Sequence, residues 1–247
     1  MSEDESVLSR SSPPPDDVIA YGSHPAAIAD VRYAGRGEQR PLVVLVHGGF
    51  WRPMYDRAHV GPMAAALVDD GWTVAAVEYR RVPGSPDLTA DDVRAAVERL
   101  PGLVGRHGGG SVLVGHSAGG HLVLCAATLG VAEITGVVGL APVADLALAE
   151  RLALGRGAVS AFIGQPAATR VDLDPARLPD PDVAVVLVHG ADDDVVPVDV
   201  SRAYHDRHPA ARLVEMPRTG HFALIDPLSA AWPVVVETIR AVPHGDP

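Results

Sequence analysis

Five apolar, β-branched runs constrain this chain most: Leu42–Val46, Thr73–Val77, Val112–Val114, Val137–Leu140 and Val183–Val188. They are continuous rather than alternating, the pattern of strands covered on both faces. Between them lie amphipathic or Ala-rich stretches. Pro62–Asp70, Ala90–Leu100, Ala118–Leu129, Asp199–His208 and Leu228–Val242 read as helices, the second with Thr89 as N-cap and Asp91 and Asp92 in its first turn. Arg212–Glu215 reads as one more strand. Strand–helix alternation over the chain predicts a doubly wound, mostly parallel α/β sheet. The length of 247 residues suits one such domain, taken as residues 18–247. Residues 1–17 are acidic, rich in Ser and Pro and without an apolar core, which predicts a disordered leader and not a secretory signal. The stretch Leu146–Asp182 is long for a crossover and rich in Gly and Pro. It is either a cap insertion over a site or a helix with a meandering loop.

Two glycine-rich segments follow strands. Gly115-His116-Ser117-Ala118-Gly119 stands between the run Val112–Val114 and the helix from Ala118. A serine on a tight strand–turn–helix junction is lifted clear at the carboxyl end of a sheet, with a helix N-terminus behind it that favours negative charge. Small residues on either side let the neighbouring backbones approach. His47-Gly48-Gly49-Phe50-Trp51 follows Leu42–Val46. Glycines there leave bare N–H groups that can receive a developing oxyanion. The expected donors are Gly49, with Gly48 or Phe50, and Ala118. His47 is expected to brace that loop. Phe50 and Trp51 either pack in the core or line a substrate pocket, and His116 is a further pocket candidate.

A serine hydroxyl is a weak nucleophile and needs a base. His221, in Thr219-Gly220-His221-Phe222 between a strand and the last helix, is the candidate. Asp193, beyond the run Val183–Val188, is the candidate acid that orients it, with Asp192 and Asp194 as alternative registers. Other histidines carry less. His205 and His208 have helical spacing but no evident third ligand, so no metal is expected. Cys125 reads as a buried small hydrophobe. Arg52, Arg80 and Arg81 follow strand ends, where they either form surface ion pairs or meet a substrate carboxylate.

Composition narrows the chemistry. All 20 basic side chains are Arg, and the chain contains neither Lys nor Asn. That excludes a lysine imine, a lysine-bearing phosphate loop, and an Asn side chain as triad member or oxyanion donor. A net charge of −11 disfavours binding to a phosphate backbone. One cysteine allows no internal disulfide, and no apolar run approaches the length of a membrane span. A cytoplasmic protein acting on a small-molecule ester or amide, without cofactor, nucleic acid or membrane, is the expectation.

From roughly residue 42 to 242 these motifs resemble the α/β-hydrolase superfamily. The His-Gly-Gly-x-Trp sequence is similar to the kynurenine formamidase group and to hormone-sensitive-lipase-like esterases, as is Gly139-Leu140-Ala141-Pro142-Val143-Ala144-Asp145-Leu146. The order Ser, Asp, His agrees with that superfamily. The resemblance implies Ser117 as nucleophile, Asp193 as acid, His221 as base, and Gly48, Gly49 and Ala118 at the oxyanion hole. It implies a carboxylesterase or arylformamidase. A thioesterase or peptidase on the same residues, or a hydrolase-fold receptor with little turnover, are the alternatives.

Overall fold

The structure is a computed structural model describing residues 3–35, 40–131 and 133–242. Its sheet has eight strands in the order β1-β2-β4-β3-β5-β6-β7-β8. They are β1 (Asp17–Ala20), β2 (Ile28–Arg32), β3 (Leu42–Val46), β4 (Val74–Val77), β5 (Ser111–His116), β6 (Ile134–Leu140), β7 (Val185–Gly190) and β8 (Arg212–Met216). From β4 to β8 every pairing is parallel, while β1 and β2 are antiparallel additions at one edge. The five apolar runs are strands, and each of β3, β4, β5 and β7 is buried throughout. The edge pair escaped the sequence reading because β1 is short and mostly exposed, with no apolar run to mark it.

Helices cover both faces. Strand side chains alternate between two apolar cores: Leu42, Val44 and Val46 enter one, Val43 and Leu45 the other. The first core is closed by α2 (Pro86–Leu103), α3 (Ala118–Ala127) and α6 (Asp199–Arg207); the second by α1 (Gly61–Asp69) and α7 (Trp232–Ala241). Helix α2 starts at Pro86, a proline at a first-turn position. Thr89 is therefore inside the helix, where its hydroxyl donates to the Arg80 carbonyl at 2.6 Å instead of capping. Helix α7 starts at Trp232, four residues later than the sequence pattern suggests. Among the described residues no helix is long and apolar enough to cross a membrane.

Two segments complete the fold. Residues 146–182 form α4 (Leu146–Arg151), α5 (Leu154–Ile163) and three short 3-10 turns. They pack on the loop after β3 through Trp51 and Phe162, whose rings stack at 4.5 Å, and on α3 through His121 Nε2, which donates to the Leu173 carbonyl at 2.7 Å. The leader expected to be disordered is instead held against the domain over its described part. Val7 is buried in the second core, Arg10 pairs with Asp226, and Asp16 accepts from the Tyr33 N–H at 2.8 Å. Composition averaged over the segment conceals these single anchors. Met1 and Ser2 lie outside the described residues.

Candidate active site

The strand order reverses direction at β3, since the chain goes from β3 to β4 on one side and returns to β5 on the other. Loops leaving the carboxyl ends of two such strands part and open a crevice. The two glycine-rich segments are those loops. Register pairs Val46 with Gly115, so they begin side by side.

Ser117 sits at φ 56° and ψ −118°, between β5 and α3. This is a strained conformation for a residue with a Cβ, worth about 1–3 kcal/mol, and it persists because the surroundings hold it. Its N–H donates to the Leu140 carbonyl at 2.8 Å, and its carbonyl accepts from His121 and Val143, each at 3.1 Å. The flanking glycines are required by close approach. A Cβ at Gly115 would lie 2.3 Å from the Gly119 carbonyl oxygen, and one at Gly119 would lie 2.1 Å from that of Val46. Gly48 comes against the serine, where a Cβ would stand 3.1 Å from Ser117 Cβ. Gly49 is left-handed at φ +103° and is covered by the Tyr55 ring. Gly48 and Ala118 are thus beside Ser117, and Gly49 follows in the same loop.

That loop rests on buried polar groups. His47 is fully buried, its Nδ1–H donates to the Gly48 carbonyl at 2.8 Å, and its ring stacks on Tyr79 at 4.4 Å. The Tyr79 hydroxyl donates to the His47 carbonyl at 2.8 Å. Glu78, behind them, pairs with Arg57 and Arg81 and faces His47 Nε2 at 3.4 Å. Burial pushes the Glu78 carboxyl up, but hydrogen bonds and charge from His47 and Arg81 outweigh it and bring it down to about 2. The folded-state value lies below the ordinary one of 4.5, so this contribution to stability is complete above that pH and is lost as pH falls toward 2. Glu78→Gln is expected to make the fall in urea midpoint over that acid window shallower than in the wild type. Parallel curves would remove Glu78 from the acid response.

The pocket candidates separate. Trp51 is buried, stacked on Phe162 and edge-on to His121 at 5.1 Å, so it packs in the core. Phe50 is half-buried, next to Gly155 of α5. His116 is buried, and its Nε2–H donates to the His221 carbonyl at 3.2 Å. Burial first, and the neighbouring His221 second, hold its imidazole far below the usual range and therefore neutral. It braces the backbone of His221 and does not open onto solvent. Arg81 is committed to Glu78 and to the Tyr79 carbonyl, and Arg52 donates to the Gly155 carbonyl.

Asp193 and His221 come from two loops that touch, since a Cβ at Gly190 would lie 2.2 Å from the Thr219 carbonyl oxygen. His221 Nδ1–H donates to Asp193 Oδ2 at 2.7 Å. Asp193 Oδ1 accepts from the N–H groups of Val195 and Val196 at 2.8 and 2.7 Å. Burial pushes this carboxyl up, yet hydrogen bonds from His189 and His221 outweigh burial and hold it well below the carboxylate range. Asp192 and Asp194 are exposed, so Asp193 is the register that meets His221. His189 fixes this loop: its Nε2–H donates to the Val196 carbonyl at 2.8 Å, and its Nδ1 bonds the Ser201 hydroxyl at 2.7 Å. With its Nδ1–H engaged, His221 keeps a lone pair at Nε2. No hydrogen bond joins Nε2 to Ser117 Oγ among the described residues. Such bonds are often long in unliganded sites and tighten when substrate arrives. The His221 ring lies 4.5 Å from that of His116, the residue before the serine.

Among the described residues no three His, Cys, Asp or Glu side chains are grouped to hold a metal ion. His205 and His208 bond the Ala211 and Pro175 carbonyls. Burial pushes the Cys125 thiol up, out of the reactive range.

Similarity to known proteins bears on the fold and the family. A segment of 83 residues is 40% identical to kynurenine formamidase of Salmo salar; it spans 33% of this chain and 28% of that protein. A solved structure of a candidate thioesterase from Silicibacter sp. TM1040 superposes with a TM-score of 0.72 at 25% identity, covering 88% of this chain and 84% of the other. Esterase B of Lactobacillus rhamnosis superposes with a TM-score of 0.74 at 21% identity, covering 95% and 89%. The family described as BD-FAE matches residues 29–207, most of the sheet and both glycine-rich loops, and the chain belongs to this esterase-like family of the α/β-hydrolase superfamily.

Proposed function

We propose that this chain is a serine hydrolase that cleaves small carboxylic esters or aryl formamides through an acyl-enzyme. The observation that carries the proposal is the buried Asp193–His221 pair at 2.7 Å beside a strained serine and the Gly48–Gly49 loop. Ser117 Oγ attacks the carbonyl while His221 Nε2 takes its proton. Asp193 fixes the tautomer and stabilises the imidazolium. The oxyanion forms against backbone N–H groups at Gly48, Gly49 and Ala118, with the α3 N-terminus behind them. His221 then protonates the leaving alcohol or amine, and a water activated by His221 releases the acid.

The formamide reading is supported by the local identity to kynurenine formamidase. The carboxylate partner it requires is not Arg81, which is spent on Glu78; the half-buried Arg52, whose guanidinium stands 5.8 Å over the Phe50 ring, is the better placed cation. A thioester reading is favoured separately by the likeness to the Silicibacter protein. Parallel turnover of p-nitrophenyl acetate, N-formylkynurenine and a short acyl thioester decides among them. Ester or formamide turnover is expected to lead. Turnover confined to the thioester would replace the reading, and turnover of none would refute it.

A further inference from the structure

The segment ahead of β1 reaches the loops behind the site. Both carboxylate oxygens of Glu3 accept from the His221 N–H, each at 2.9 Å, and Oε1 also accepts from the Asp194 N–H at 3.1 Å. One side chain thus ties the residue after Asp193 to His221 itself. Gly220 is shaped to this contact. A Cβ there would lie 2.4 Å from Glu3 Oε2, and the three nearest atoms all belong to Glu3. Gly220 is not among the glycines with positive φ, so its backbone does not itself require glycine. The segment carrying Glu3 is anchored independently, by Val7 in the second core and by Arg10, whose Nη2 donates to Asp226 Oδ2 at 3.0 Å just beyond the His221 turn.

We propose that Glu3 is a positioning residue for proton transfer: it locks the acid loop and the base loop in one register and so sets where His221 Nε2 stands relative to Ser117. The inference rests on the reading of Ser117 and His221 given above. Nε2 is at the far end of the imidazole from the backbone that Glu3 grips. A small shift of the His221 backbone is therefore passed on to the reacting nitrogen, where misplacement by about 1 Å can lower the rate by up to about a hundredfold. Water can replace Glu3 at the two N–H groups, so its loss should loosen the loops without unfolding them.

The test uses the full chain as wild type, Glu3→Ala, Gly220→Ala and the double variant. Steady-state hydrolysis of p-nitrophenyl acetate and the labelling rate with a fluorophosphonate are measured, together with the downfield proton resonance of the His221 Nδ1–H bond to Asp193. Glu3→Ala is expected to lower kcat about tenfold with KM within about twofold, and to slow labelling by the same factor. The downfield resonance is expected to broaden. Gly220→Ala, which expels the carboxylate, should reproduce this and add nothing in the Glu3→Ala background. A purely structural role would lower the melting temperature and leave kcat of the folded protein unchanged. Wild-type kcat and labelling in Glu3→Ala with an unchanged resonance, or losses that add in the double variant, would overturn the inference. A wild type that neither turns over nor labels would instead refute the serine-hydrolase reading, and this inference with it.

Discussion

Ser117→Ala is expected to lower kcat by about a millionfold, leaving a residual rate about a thousandfold above that in water, while the fold is kept. The side chain is small, and the strained backbone is held by bonds from its own N–H and carbonyl, which alanine retains. What disappears is the only atom that would join the acyl group to the protein. Without it the His221–Asp193 pair has no hydroxyl to activate, and the N–H groups of the loop can only polarise a carbonyl for slow attack by water. The measurement is kcat on the best substrate of the panel, with circular dichroism to show that the variant is folded. Turnover within tenfold of wild type would remove Ser117 from the mechanism.

Asp193→Asn is expected to cost about ten-thousandfold in kcat with little change in KM. The geometry gives the reason. Asp193 Oδ1 is held by the N–H groups of Val195 and Val196, both donors, so an Asn would turn its carbonyl oxygen to them. Its amide would then face His221 Nδ1 as a donor. His221 would have to accept there and carry its proton on Nε2, the atom that must receive the serine proton. Raising pH would not restore activity, because the tautomer is wrong and not the charge. A loss smaller than tenfold, or a loss in Asp192→Asn of the same size, would reassign the acid.

The elements most legible in the sequence were those whose residues see one environment along their whole length. β3, β4, β5 and β7 are buried on both faces and read as unbroken apolar runs. β1 lies at the open edge and is mostly exposed, and β2 beside it mixes polar with apolar residues, so neither shows an unbroken apolar run. The turn around Ser117 was legible because its steric demand shows in residue type: backbones 2.1 to 2.3 Å from where a Cβ would stand admit only glycine on either side. Asp193 was ambiguous among three consecutive aspartates, because acidic residues in a row look alike until one is turned inward. Trp51 was open between pocket and core, and its ring is decided by Phe162, more than a hundred residues away.

By itself, then, the sequence determined the layer architecture, the position of the serine, and the exclusion of lysine and asparagine chemistry. These follow from hydrophobic period, steric necessity in a tight turn, and the residue types present. Only the tertiary structure decided which aspartate pairs with His221, that Arg81 is consumed by Glu78, and that a leader rich in Ser, Pro and acid carries a glutamate to the His221 N–H. The first and last depend on groups far apart in the chain being brought together, and the Arg81–Glu78 pair, three residues apart, is decided by the burial of both side chains beside His47. A hydrogen bond or charge pair formed in this way is decided by position, and residue type alone carries no record of its partner.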